Sequence, residues 1–316
     1  MYIRFGFTDL YVSRLCQGTA FRHLPRGEDS RSEAVLRHAI DMGINFFDTA
    51  VAYGWGGAER LLGRVVAGCR NRLVLCTKIP ALHAPASDTK PDKPLRKAVF
   101  TRTYLVEQLE ASLKRLKTDC IDLCLLHQPD GVTRPGELAE NMETLVRSGK
   151  IRYWGASNFE AKEVEILNSA VGFAGLEDYY NIAGMSLDEQ GRSRTTRLEA
   201  EMFPLIRAGG MGLLAFSPMD TGHLAVGREP APDTPLVALI RDLDAVAGEL
   251  EVTRAQVCVA WTLAHPEVTC VLAGSESAAQ VDDNLSGTQL VLPDVALERL
   301  NRASRVFREE HTTASA

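Results

Sequence analysis

This chain of 316 residues lacks several features that would each define a class of protein. It contains no run of about 18 apolar residues, which argues against a transmembrane helix. No block of Lys or Arg accompanies the net charge of -6, which argues against a nucleic-acid or anionic-membrane partner. The N-terminus has no basic-then-apolar signal pattern, so a cytoplasmic location is expected.

Two kinds of metal or redox motif are also absent. The seven cysteines form no C-x-x-C pair, and most stand within apolar runs, where a thiol behaves as a small hydrophobic side chain. We therefore expect reduced, buried thiols rather than disulfides or zinc ligands. None of the seven histidines forms an H-x-H pair, which disfavours a metal-dependent barrel hydrolase, and no metal site is expected.

Short apolar runs alternate with amphipathic stretches from about residue 15 onward, and they predict alternating buried strands and helices. The predicted strands are 15–18, 45–48, 73–78, 121–127, 152–156, 176–180, 212–216 and 268–273. The predicted helices are near 32–42, 58–66, 102–116, 137–148, 161–169, 196–208, 236–249, 254–263 and 278–285.

Eight such units in a chain of this length predict an α/β fold of the closed (β/α)8 TIM barrel type. An open doubly wound sheet would need a G-x-G-x-x-G segment after its first strand, and the sequence does not supply one there. With no interdomain linker visible, one domain is expected over 1–316. It would comprise a β-hairpin at about 2–13 capping the barrel bottom, the barrel at about 15–288, and a C-terminal helix and tail at 293–316.

Four polar residues stand at or just past the ends of predicted strands. Asp48, Lys78 and His127 each close an apolar run, and Tyr53 lies in the loop after the first of these runs. Each alone has an ordinary explanation, such as a turn cap, core packing or a solvated side chain. Together they are an acid, a phenol, an amine and an imidazole at the carboxyl ends of strands, where barrel enzymes place their chemistry.

Six segments, taken in order along the chain, resemble the aldo-keto reductase family. They are G-I-N-F-F-D-T-A at 43–50 with the tyrosine that follows, T-K at 77–78, D-L-C-L-L-H at 122–127, G-A-S-N-F at 155–159, F-S-P at 216–218, and A-G-S at 273–275 leading to D-N at 283–284. The resemblance implies an NAD(P)-dependent oxidoreductase that interconverts a carbonyl (aldehyde, ketone or sugar) and an alcohol. Any single segment would be weak, but six in the same order are specific.

The resemblance also implies a role for each of the four polar residues. Tyr53 would be the general acid in reduction and the base in oxidation. Lys78 would lower the pKa of the phenol, and Asp48 would hold Lys78 and compensate its charge. His127 would donate a hydrogen bond to the substrate oxygen.

The family resemblance places the cofactor, NADP(H) or NAD(H), along the later strand ends. Ser157 and Asn158 would bind the carboxamide, although Asn158 could instead cap the helix that follows. Phe216 would pack against the nicotinamide. The implied cofactor-binding residues are Ser157, Asn158, Glu177, Phe216, Ser217, Gly274, Ser275, Ser277, Gln280, Asp283 and Asn284. Trp55 and the loops at 80–100 and 221–227 are candidates for the substrate wall.

Two positions depart from the family pattern. Glu177 stands where the family usually has Gln, and its negative charge would favour the oxidised, cationic nicotinamide. NADP-preferring relatives commonly have Lys or Arg at the positions of Gly274 and Gln280, and here Glu276 lies between them. Ser275, Ser277 and the helix N-terminus could still bind a phosphate. The choice between NAD and NADP therefore stays open, with NAD expected to be at least competitive.

The expected partner is a small carbonyl or alcohol substrate, and the sequence does not specify which one. A monomer and a homo-oligomer both remain open. The alternative function is a redox-sensing regulatory or binding subunit on the same fold with little turnover.

Overall fold

The computed structural model describes residues 2–21, 29–83, 95–224, 230–231 and 234–315. Its first two strands, β1 (Tyr2–Arg4) and β2 (Tyr11–Ser13), pair antiparallel as a hairpin. Across the described residues, no helix has the length and apolarity needed to cross a membrane.

Eight further strands close into a parallel barrel, in the order β10-β3-β4-β5-β6-β7-β8-β9. They are β3 (Leu15–Gly18), β4 (Phe46–Asp48), β5 (Val74–Ile79), β6 (Ile121–Leu126), β7 (Ile151–Ser157), β8 (Phe173–Tyr179), β9 (Gly212–Phe216) and β10 (Cys270–Ala273). The predicted TIM barrel is confirmed. The largest shift in a strand start is at β8, which begins three residues earlier than the apolar pattern indicates.

Helices surround the barrel and alternate with its strands. They are α1 (Asp29–Asp41), α2 (Gly57–Val66), α3 (Arg102–Leu116), α4 (Pro135–Arg147), α5 (Ala161–Leu167), α6 (Arg194–Arg197), α7 (Phe203–Gly209), α8 (Leu236–Glu249), α9 (Arg254–Leu263), α10 (Ala278–Gly287) and α11 (Asp294–Ser315). The single helix predicted at 196–208 is instead α6, a π-helical turn at Leu198–Met202, and α7.

The hairpin closes the amino-terminal end of the barrel, as predicted. Phe5, Leu10 and Val12 are buried in one cluster with the side chains that fill the barrel interior. The Phe5 ring packs edge to face on Phe46, with the ring centroids 5.9 Å apart. It also lies against Gly212 at the start of β9, where a Cβ would meet the ring carbons at 2.6 Å.

Three glycines allow β7, β8 and β9 to approach closely. A Cβ on Gly155 would lie 2.3 Å from the carbonyl oxygen of Gly175, and a Cβ on Gly175 would lie 2.0 Å from that of Gly212. Any side chain at these positions would force the backbones apart. The seven cysteines are free thiols, and all except the partly exposed Cys120 are buried, which fits the expected burial in apolar surroundings.

Candidate active site

The carboxyl ends of the barrel strands surround a cleft of about 960 Å³, within the usual range for ligand pockets. Most of the predicted site residues line it: Asp48, Tyr53, His127, Ser157, Asn158, Glu177, Phe216, Ser217, Gly274, Ser275, Gln280, Asp283 and Asn284. Residues that we had not assigned to the cofactor or the chemistry also line it, among them Gly18, Ala20, Met219, Thr253, Ala255 and Leu272. The cleft therefore runs from the inner strand ends of β4 and β6 to the start of α10.

Lys78 lies behind the cleft, with its ammonium fully buried at the centre of the polar group. The Nζ donates to Asp48 Oδ1 and to the backbone oxygen of Thr49 at 3.3 Å. It also lies 3.2 Å from Glu177 Oε2 and 5.1 Å from the centre of the Tyr53 ring. Lys78 thus links the phenol to two carboxylates.

The pKa values of the amine and the phenol are both raised, but for different reasons. Burial acts to lower the pKa of Lys78, but Asp48 and Glu177 outweigh it, so the pKa of this amine lies well above its ordinary value. Burial raises the pKa of Tyr53, and the two carboxylates add to that rise. Lys78 lowers the phenol pKa, as the sequence suggested, but by less than these effects raise it, so the net direction is upward.

The two carboxyl groups share the single ammonium. Burial raises the pKa of Asp48, and the charge and hydrogen bond of Lys78 partly offset that rise. Burial and the neighbouring Asp48 raise the pKa of Glu177 to about 8. Ligand atoms of Asp48, Cys76 and Glu177 lie within 4.8 Å of one another, a spacing that could hold a metal ion. The Lys78 ammonium contacts both carboxylates, so it already supplies the positive charge that they would attract.

His127 is a neutral imidazole beside the phenol. Its ring meets the Tyr53 ring edge to face at 6.0 Å, and burial, followed by the charge of Lys78, lowers its pKa to about 3. Among the described residues, its Nδ1 is buried without a hydrogen-bond partner. Buried polar atoms are nearly always hydrogen-bonded, so an unmet one in a cleft indicates a place for a ligand.

Asn158 is held rigidly in the left-handed region, with φ at 62°. Its Nδ2 donates to the backbone oxygen of His127 at 3.0 Å and to Ser157 Oγ at 2.9 Å, and its Oδ1 accepts from Arg194 Nη2. Its backbone N–H donates to Asp178 Oδ1 at 3.1 Å. Asn158 does not cap the following helix, because α5 has Glu160 at its N-cap.

The far end of the cleft is built around the start of α10. Ser277 caps this helix by accepting from the N–H of Gln280, and the Gln280 side chain accepts from the N–H of Glu276 at 2.7 Å. Asn284 donates to Ser275 Oγ at 3.1 Å. None of the described residues that line the cleft is Lys or Arg. Arg31 approaches this end, however, and donates to the backbone oxygen of Glu276 at 3.2 Å.

Asp283 ties α10 to the neighbouring helix. Its Oδ1 accepts from Thr253 Oγ1 at 2.8 Å and from Gln256 Nε2 at 2.7 Å.

Phe216 and Trp55 differ in where they lie. Phe216 is half-buried, lines the cleft and packs edge to face on Tyr179 at 5.9 Å. Trp55, with a positive φ of 54°, is not among the described residues that line the cleft, so its place in the substrate wall stays a prediction. Residues 84–94 of one predicted substrate loop and 225–227 of the other lie outside the described residues.

Sequence reasoning missed several residues that support the site. Asp178 and Arg194 fix Asn158, and Asp220 accepts from the Tyr179 hydroxyl at 2.6 Å, where that ring backs Phe216. Thr253 begins α9 with a T-x-x-Q capping box, which is a readable sequence signal. No sequence signal shows that this helix start faces the cleft.

The fold and the site define a barrel protein with a phenol, an amine, an imidazole and two carboxyl groups at the inner end of a long cleft. The model of the aldo/keto reductase family matches residues 14–305, and this chain belongs to that family. This membership supports an oxidoreductase.

Three curated relatives match over most of their length. The chain is 33% identical to the uncharacterized oxidoreductase YrpG of Bacillus subtilis, over 95% of this chain and 94% of that protein. It is 33% identical to a 6-dehydroglucose reductase of Novosphingobium aromaticivorans, over 87% and 86%. It is 27% identical to a probable voltage-gated potassium channel subunit beta of Arabidopsis thaliana, over 95% of each chain.

A solved structure supports the barrel fold independently. An aldo/keto reductase from Klebsiella pneumoniae in complex with NADP and acetate superposes with a TM-score of 0.75 at 27% identity, over 95% of this chain and 94% of that one. A nicotinamide cofactor is therefore supported for this protein, without a choice between NAD and NADP.

Proposed function

We propose that this protein interconverts a carbonyl and an alcohol, using a nicotinamide cofactor and Tyr53 as the general acid or base. One observation carries the proposal: Tyr53 lines the inner end of the cleft, and its ring centre lies 5.1 Å from the ammonium of a buried Lys78 that Asp48 holds in place. This arrangement puts a transferable proton beside an ammonium in a site that is largely shielded from water.

The residues present fit a nicotinamide dinucleotide. The cleft is long and large, and Phe216 presents an aromatic ring to it. Asp48 Oδ2 and His127 Nδ1 are buried and lack partners among the described residues, so a ligand could satisfy them. Ser157, Asn158, Glu177 and Phe216 would hold the nicotinamide end, and Ser217, Gly274, Ser275, Ser277, Gln280, Asp283 and Asn284 the remainder. The cofactor, when bound, supplies or accepts the hydride.

The chain's own residues supply and place the proton. Because the pKa of Tyr53 is raised, its hydroxyl is protonated at neutral pH and can donate to a carbonyl oxygen during reduction. Lys78 limits the cost of the phenolate that remains. His127, held neutral by burial, can donate a hydrogen bond to the same oxygen and fix its position.

The substrate class that we propose is an aldehyde, ketone or sugar, or the corresponding alcohol. The relative named as a 6-dehydroglucose reductase favours a sugar carbonyl within this class. At the polar inner end of the cleft, the His127 imidazole and the Tyr53 phenol lie edge to face, an arrangement that suits one carbonyl or hydroxyl oxygen of a substrate. We also propose that residues 1–316 form one domain.

The decisive test is Tyr53→Phe, which removes only the hydroxyl. We expect turnover to fall by about 10²–10⁴, because positioned proton transfer contributes that much, while dinucleotide binding is retained. The measurement is the change in nicotinamide absorbance with NAD(H) and NADP(H) against a panel of sugars, ketones and alcohols.

Tyr104→Phe is the matched control. This tyrosine also loses a hydroxyl, but in α3, where it donates to the backbone oxygen of Pro80 at 2.7 Å. Its variant should keep wild-type turnover. Undiminished turnover in Tyr53→Phe would refute the proposed role of the phenol.

A second candidate function is a redox-sensing subunit with little turnover. The similarity to a probable potassium channel subunit beta favours it. Dinucleotide binding without turnover on any carbonyl or alcohol of the panel would support this candidate over the enzyme.

A further inference from the structure

Two buried carboxyl groups face a single ammonium at the inner end of the cleft. Lys78 Nζ bonds Asp48 and lies 3.2 Å from Glu177 Oε2, and the side chains of all three are at most 3% exposed. One ammonium can balance one carboxylate. If both acids are ionised, a buried negative charge remains without compensation, which is costly.

That surplus charge faces the place proposed for the nicotinamide. Glu177 lines the cleft at the carboxyl end of β8, and its Cα is paired with that of Ser157 on β7. Phe216, on the other side, is paired with Tyr179 two residues further along β8. Glu177 thus lies between two residues that we assign to the nicotinamide.

Several ionisable groups surround Glu177, and the pKa values of most of them are shifted by burial. The groups that interact with it are Asp48, Lys78, Tyr53, Cys16 and Cys76, and His127 lines the same cleft. Asp178 follows Glu177 on β8, and burial raises the pKa of this acid to about 6. The pKa values of the phenol, the thiols and the amine all lie above their ordinary values, and that of His127 is lowered to about 3. The pKa of Asp48 is raised too, but this residue holds the direct hydrogen bond to Lys78.

We propose that Glu177 selects the redox state of the cofactor: its carboxylate favours the oxidised, cationic nicotinamide over the neutral reduced form, and one proton leaves Glu177 to solvent as the cation binds. The inference rests on the proposed function. It requires only that the ring lies at the inner end of the cleft.

The expected pH dependence follows from the sign of the interaction. Burial and Asp48 raise the pKa of Glu177 to about 8, so the acid is mostly protonated at neutral pH in the free protein. A bound cation favours the charged form and lowers that pKa. Affinity for the oxidised form should therefore rise with pH up to about 8 and then level off, whereas affinity for the reduced form should change little.

The test is calorimetric titration of wild type, Glu177→Gln and Glu276→Gln with NAD, NADH, NADP and NADPH, from about pH 6 to about pH 9. In wild type, the preference for the oxidised form should increase with pH. Titrations in buffers of different ionisation enthalpy should reveal proton release with the oxidised form only. In Glu177→Gln, the preference at high pH should fall on the order of tenfold or more, as expected for a charge interaction at this range in a partly shielded site.

Glu276→Gln is the matched control. It makes the same chemical change in the same cleft, but at the α10 end, where oxidised and reduced cofactors are identical. Its ratio of affinities for the two redox forms should equal that of wild type.

Each outcome decides a separate question. An unchanged ratio in Glu177→Gln, or the absence of proton release in wild type, overturns the inference while the proposed function stands. Failure of wild type to bind any of the four dinucleotides overturns both. If Glu177→Gln does not fold, the pH dependence of the affinity of wild type for the oxidised cofactor, together with its proton release, still tests the inference.

Discussion

At the scale of single residues, burial sets the direction of the pKa shift of Tyr53, whereas the neighbouring carboxylates set that of Lys78. Lys78 was expected to make Tyr53 readily ionisable, yet burial and two carboxylates raise the pKa of the phenol. The identities of Asp48, Tyr53, Lys78 and His127 could be taken from their places at strand ends. The net direction of the Tyr53 pKa shift could not, because it depends first on how deeply the fold buries the phenol and then on the carboxylates of Asp48 and Glu177.

Also at this scale, the side chains near α10 predict the choice of cofactor. Gln280 already occupies the N–H of Glu276, and the Glu276 carboxylate would repel a ribose 2′-phosphate. We therefore expect kcat/KM with NAD to lie within about a hundredfold of that with NADP. Measurement of both values checks this, and a larger preference for NADP would contradict it.

Glu276→Gln sharpens that comparison. Removing the charge should raise kcat/KM with NADP by about three- to tenfold at low salt and leave the value with NAD nearly unchanged. Equal effects on both cofactors would show that the 2′-phosphate lies elsewhere, for example on the side of Arg31.

At the scale of elements, the alternating apolar pattern was sufficient to place all eight barrel strands. It failed between β8 and β9, where one predicted helix is two short helices joined by a π-helical turn. The apolar period of a π-turn differs little from that of an α-helix over five residues. The close contact of β7, β8 and β9 could not be predicted from the sequence either, because a glycine within a strand does not show which atoms pack against it.

The hairpin and β9 provide the prediction at this scale. Gly212→Ala would push a methyl group into the Phe5 ring, and overpacking of this kind costs about 1–3 kcal/mol of unfolding free energy. Gly248→Ala is the matched control, because Gly248 is exposed near the end of α8 and an added Cβ there would meet only open space. That change should stabilise by about 0.4–1 kcal/mol.

Denaturant unfolding of both variants measures these effects. In a Phe5→Leu background, the cost of Gly212→Ala should shrink, because the smaller side chain can yield. A cost that is the same in both backgrounds would show that the hairpin does not press on this strand.

At the scale of the whole molecule, the buried charges make stability depend on pH. Glu177 has a pKa of about 8 in the folded protein against 4.5 ordinarily, so between these values the folded state binds more protons than the unfolded chain. The contribution of Glu177 to the free energy of unfolding must then fall as pH rises through this window, by up to about 1.4 kcal/mol per pH unit.

Unfolding of wild type and Glu177→Gln without cofactor, at several pH values from about 5 to about 8, tests this dependence. The difference between the two proteins should shift in favour of Glu177→Gln as pH rises. Parallel curves would show that Glu177 keeps an ordinary pKa, which would also remove the basis for its proton release.

The plug formed by the β1–β2 hairpin has a practical consequence for engineering. Phe5, Leu10 and Val12 seal one end of the barrel, while the cleft opens at the other, so the parts that secure the fold and the parts that would meet a substrate occupy opposite poles. Substitutions at the sealed end can therefore be chosen for stability alone. The rim at the open end can be redesigned for new substrates without weakening the packing at the sealed end.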